Sequence, residues 1–134
     1  MQHWCSEPPP PLLAKGVEQF NRGEFFEQHE TLEELWRAEP RPVRDLYRGI
    51  LQIGVAFHHL RRSNYHGAVY MLERGGEYLR PFAPACQGVD VAGLLDAAGH
   101  ALGEVKRLGP DHLDLFDWSL VPTVTLRGSG TDGR

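Results

Sequence analysis

Phe25-Phe26-Glu27-Gln28-His29-Glu30-Thr31-Leu32-Glu33-Glu34-Leu35-Trp36 is the stretch on which the fold turns. Its apolar positions recur at helical spacing, so Phe25, His29, Leu32 and Trp36 form one expected buried stripe with a histidine inside it. Residues four apart stack on one helix face, which sets His29 beside Glu33. A histidine among large apolar side chains, with a carboxylate in reach, is costly unless both groups find partners. The stretch therefore marks an amphipathic helix and a candidate site together.

Helical patterning continues on both sides. Leu12, Leu13, Val17 and Phe20 make an earlier stripe, closed by the turn Asn21-Arg22-Gly23. The central stretch extends from Glu24 to Ala38, with an acidic start suited to the helix dipole, and Pro40 and Pro42 stop it. A third helix is expected over 43–62, with Leu46, Ile50, Ile53, Phe57 and Leu60 on one side and Leu51 and Val55 on another. Apolar on two sides, it should be the central helix. Gly49 and Gly54 each weaken it by about 1 kcal/mol relative to alanine unless they permit close helix contact, the preferred explanation.

Asn64 breaks that helix and can cap a fourth over 66–79, where Gly75-Gly76 predicts a kink or a tight crossing. A fifth is expected over 91–108, ending at Gly109-Pro110, and its Gly99 and Gly103 offer a weak signal for close packing. Leu115, Phe116, Trp118 and Leu120 are too apolar to float free, so part of this tail should pack back on the bundle, and the short stretch 121–126 is the one strand candidate. The fold class is all-α: a single compact bundle of about five helices over 11–127. It lies between an extended or disordered lead-in at 1–10, stiffened by Pro8 to Pro11, and a disordered tail at 128–134.

Composition narrows the function. The chain has 134 residues, 41% hydrophobic and 24% charged, as expected of a soluble domain. A net charge of -4 does not favour nucleic acid or anionic lipid. No apolar run reaches the roughly 20 residues of a membrane helix, and no export signal is evident at the N-terminus. Cys5 and Cys86 form no CxxC pair and no framework, which fits a reducing cytoplasm. The partners expected are a small molecule, a protein or a second copy.

The third helix supplies further polar groups. Gln52 and His59 are two turns apart on a strip that includes Gly49 and Ala56, and the short proline-containing turn makes the second and third helices antiparallel neighbours. His29 and Glu33 can then meet Gln52 and His59 across one pocket. Arg41, Arg44 and Arg48 share a side and suit a phosphate or carboxylate, but pairing with Glu27, Glu30 or Glu34 is preferred.

The segments 20–36 and 48–60, followed by Ser63-Asn64 and Gly67-Ala68, resemble the bacterial and archaeal domain of unknown function 309. That family's signature is a His-xxx-Glu-xx-Trp helix, then a helix ending in histidine and a nearby asparagine. His29, Glu33 and Trp36 match the first part; His59 and Asn64 match the second, with Ser63 where glycine is more usual. The resemblance spans roughly residues 12 to 80 and implies a compact helical bundle without supplying an activity.

Three site readings follow. In a metal reading, His29, Glu33 and His59 hold a divalent transition metal and leave a position for water. In metal-free acid/base chemistry, Glu33 orients His29 while His59 or Gln52 holds substrate; both enzymatic versions suit a small hydrolase or lyase. In the third, a buried His–Glu cluster bonded across two helices locks their register, with the Trp36 indole on a carbonyl and Asn64 as a cap. The favoured class is a ligand-binding or structural module, with Trp36, Gln52 and Asn64 as binding residues.

Overall fold

The computed structural model describes residues 3–127, so the tail expected to be disordered lies outside the described residues. Five helices dominate: α1 Pro11–Asn21, α2 Phe25–Ala38, α3 Arg44–Arg61, α4 Tyr65–Leu79 and α5 Val91–Leu108. Pro11 opens α1, where a missing N–H costs nothing, and the Asn64 and Asp90 side chains accept from Gly67 N and Gly93 N to cap α4 and α5. α3 lies centrally, packed on both α2 and α4, while α1 covers α2 and α5 covers α4. It buries Leu46, Ile50, Ile53 and Phe57 completely, as its two-sided apolar pattern predicts.

The tight crossing expected at Gly75 occurs against α3. A Cβ on Gly75 would stand 2.8 Å from Ile53 Cδ1 and 3.0 Å from Gly49 O, so both glycines let the backbones approach. On the opposite side of α3, a Cβ on Gly54 would collide with the Gln28 side-chain amide. By contrast, a Cβ on Gly99 or Gly103 meets nothing within 4 Å, so neither glycine serves a close contact among the described residues.

The lead-in differs from expectation. His3–Ser6 form a 3-10 turn, and Cys5 is joined to Cys86 by a disulfide across 81 residues. Cys86 belongs to a two-stranded antiparallel hairpin, β1 Ala85–Cys86 and β2 Val89–Asp90. Gln87 at its tip donates through its backbone to Cys5 O at 2.8 Å and through Nε2 to Trp4 O at 3.2 Å. Its Oε1 accepts from the fully buried Tyr47 hydroxyl at 2.7 Å. Arg41 grips Glu7 through both terminal nitrogens, at 2.9 and 3.1 Å. The residues after Ser6 run without regular structure to Pro10. Since disulfides persist mainly in oxidising surroundings, the cysteine pattern no longer supports a reducing compartment.

In the tail, part packs back as expected: Phe116 and Leu113 are buried, while Leu115 is largely and Trp118 partly exposed. The strand candidate makes one bridge, Val89 to Leu126. The Asn21 side chain clamps this segment, donating to Val124 O at 3.0 Å and accepting from Val124 N at 2.7 Å. No described helix is long and apolar enough to cross a membrane.

Candidate functional site

The buried stripe of α2 is Phe25, Gln28, Leu32 and Leu35, displaced around the helix from the expected one. His29 and Trp36 flank it at the solvent edge, and the His29 side chain is 37% exposed. This places His29 beside the core rather than inside it, where a solute can reach it. The fully buried Gln28 takes the interior position instead, and its Nε2 donates to Leu51 O of α3 at 3.1 Å and Phe25 O at 3.3 Å.

His29, Glu33 and Trp36 recur at i, i+4 and i+7, and Arg48, Gln52 and Val55 share the same spacing on α3. These two stripes, with Leu51 and Met71 of α4, enclose a cleft of about 350 Å³. On the α2 wall, His29 Nε2 stands 3.0 Å from Glu33 Oε1, and the other Glu33 oxygen accepts from Arg37 Nη2 at 2.6 Å. The His–Glu pair therefore lies within one helix and bonds nothing across the interface. The register of α2 on α3 is held by Gln28, which corrects the expectation of an interhelical His–Glu lock.

Arg48 spans the cleft's end. Its guanidinium lies 4.8 Å from the Trp36 ring centre and 5.2 Å from that of Tyr78, while Arg44 lies 4.2 Å from Trp36. Such cation–π stacking accounts for Arg44 and Arg48 better than the expected pairing with α2 carboxylates. Arg41 turns away to Glu39 and Glu7. Two lining residues keep unpartnered buried atoms: Trp36 Nε1, a donor, and Gln52 Oε1, an acceptor. Among the described residues the indole thus has no carbonyl partner, contrary to expectation.

His59 and Asn64 belong elsewhere. His59 is seven residues beyond Gln52, about 10 Å along the helix, and meets the start of α4. Gly67 N donates to Asn64 Oδ1 at 3.0 Å, which fixes the amide so that Nδ2 faces His59 Nδ1 at 3.1 Å. An amide nitrogen only donates, so Nδ1 accepts and the imidazole is the neutral Nε2–H tautomer. Burial, then the neighbouring His58 and Arg62, hold its pKa below the ordinary histidine value. Among the described residues no three His, Cys, Asp or Glu side chains come together as a metal-ligand group. The His29/Glu33/His59 ligand set is therefore not assembled, because the antiparallel pairing sets His29 against the middle of α3 rather than its end.

A second depression, about 620 Å³ and sharing His29 and Glu33, is lined by α2 residues alone, so it lacks an opposing wall. Arg48, Leu51, Val55 and Met71 escaped the sequence reading of the cleft. For Arg48 a signal existed, its i, i+4 relation to Gln52; for Met71 none did, since α4 reaches the cleft only through tertiary packing.

These features define a class: a helical bundle with a half-open cleft between a His-xxx-Glu-xx-Trp face and an Arg-xxx-Gln face. Residues 13–71 match the family model described as a domain of unknown function, DUF309. Every residue lining the cleft falls within the matched segment. The chain is also similar to the "Uncharacterized protein YpuF" of Bacillus subtilis (strain 168), with 36% identity over 76 residues. That match covers 54% of this chain and 44% of the Bacillus protein, so the chain spans under half the length of that relative.

Proposed function

We propose that this chain is a binding module that takes a small organic molecule in the cleft between α2, α3 and α4. The observation carrying this reading is the pair of unpartnered buried atoms, Trp36 Nε1 and Gln52 Oε1, on facing walls of one cleft. An unsatisfied buried polar group costs about 1–3 kcal/mol, which a ligand supplying one acceptor and one donor recovers. The volume of about 350 Å³ is at the small end of ligand sites. Gln28 Oε1 is unpartnered too, but Gln28 does not line this cleft and its Nε2 bonds across to α3, so a structural role explains it and leaves Gln52 without a purpose.

An enzymatic reading, with Glu33 orienting His29 as a general base, draws support from their 3.0 Å contact at the cleft wall. It loses His59 as a participant and lacks a nucleophile in the cleft lining, so binding is the reading preferred. The test is a ligand-observed NMR screen of a small-molecule library against the wild-type chain and Gln52→Leu. Hits lost in the variant support the cleft; a screen whose hits all persist in Gln52→Leu, or that yields none, rejects it.

A further inference from the structure

We infer that the cleft's ligand is a small monocarboxylate with a hydroxyl or amino group on the neighbouring carbon, its carboxylate held by Arg48 and Trp36 and its donor by Gln52. This rests on the binding role proposed for the cleft and assigns the chemistry of the occupant. The Arg48 guanidinium carbon lies over the Trp36 and Tyr78 rings, and among the described residues none of its N–H groups makes a side-chain hydrogen bond, so they are free for a ligand. Among the described residues it has no carboxylate within ion-pair distance, unlike Arg37 and Arg41. An in-plane guanidinium fork matches a carboxylate, and the unpartnered Trp36 Nε1–H is a further donor at the same end.

Gln52 supplies the second half. It is 8% exposed, lines the cleft, and its Oε1 has no partner, so the ligand group that meets it must donate. Arg48 and Gln52 are one helical turn apart, with about 5–6 Å between their Cβ atoms. A carboxylate and a donor on the adjoining carbon, each making one hydrogen bond, bridge that span. Leu51, Val55 and Met71 form the remaining wall and accept a short hydrocarbon body.

The charge is one rather than two. Glu33 lines the same cleft and Arg48 is the one guanidinium among the lining residues, while the whole chain carries -4. A phosphate dianion would meet Glu33 with no second guanidinium among the lining residues to offset the repulsion. Glu33 favours an amino over a hydroxyl substituent.

The experiment is titration calorimetry on the full chain with one carbon skeleton: 2-hydroxy-4-methylpentanoate, leucine, 4-methylpentanoate, leucinamide and, separately, inorganic phosphate. Expected are binding of the hydroxy or amino acid, a loss of about tenfold or more for the plain acid and for the amide, and no phosphate binding. Arg48→Gln should weaken the acids by about tenfold and leave the amide unchanged; Arg48→Lys should recover part of the loss and shows that the fold is intact. Gln52→Leu should erase the difference between substituted and plain acid. Equal binding of acid and amide, or indifference to Arg48→Gln, overturns the carboxylate assignment while leaving the cleft a binding site. Silence across the whole series overturns the assignment too, and the library screen then decides the binding reading separately.

Discussion

The Gln28 side-chain amide donates to the Leu51 carbonyl oxygen at 3.1 Å across the α2–α3 interface, in space that Gly54 leaves open. A buried amide on one helix and a missing side chain on the next are thus one feature. Gly54→Ala should destabilise the fold by about 1–3 kcal/mol, since the added methyl displaces a fully buried side chain. Urea denaturation at constant slope measures it. With Gln28→Ala as background the same change should cost far less; equal costs in both backgrounds would show that the two residues are uncoupled.

Gln52→Leu should stabilise the ligand-free chain by about 1 kcal/mol, because it removes a buried acceptor without a partner and keeps similar volume. Its melting temperature should rise while cleft binding is lost. A fall in stability would mean that Oε1 is satisfied in solution and that the site reading is wrong.

At the α3–α4 junction, Asn64→Ala should cost about 1 kcal/mol through the lost cap. Because the folded pKa of His59 lies below its unfolded value, the unfolded chain takes up a proton first on acidification. Stability should therefore be complete above the ordinary histidine pKa near 6.5 and decline as pH falls from there through the lowered folded value. His59→Gln should flatten that segment of the curve, as read from melting temperatures at closely spaced pH.

Tyr47 predicts the opposite slope at the alkaline end. Burial, reinforced by the charge of Glu39, pushes its pKa up to about 12. The unfolded phenol ionises first, so stability should fall by roughly 2 kcal/mol as pH rises from about 10 through the folded value. Tyr47→Phe should lose this alkaline decline and, at neutral pH, about 1–2 kcal/mol through the stranded Gln87 acceptor.

Local patterns in the chain determined the helices themselves. The apolar spacing, the prolines at 40 and 42, the Asn64 cap and the stop at Gly109 bound α2 to α5 within a residue or two of where they lie, since each signal acts over a single turn. The same locality placed His29 and Glu33 on one face and Arg48 and Gln52 on another. Which part of each face would be buried was a tertiary decision. A shift of one position around α2 put Gln28 in the core and His29 at the edge, because α1 and α3 together chose the buried side. His59 was separated from the cleft by the antiparallel pairing of α2 on α3, and Met71 was brought into it by α4. Asn21 found Val124 across 103 residues and Cys5 found Cys86 across 81. No spacing rule reaches so far: such contacts exist only once the helices have packed and carried distant segments together.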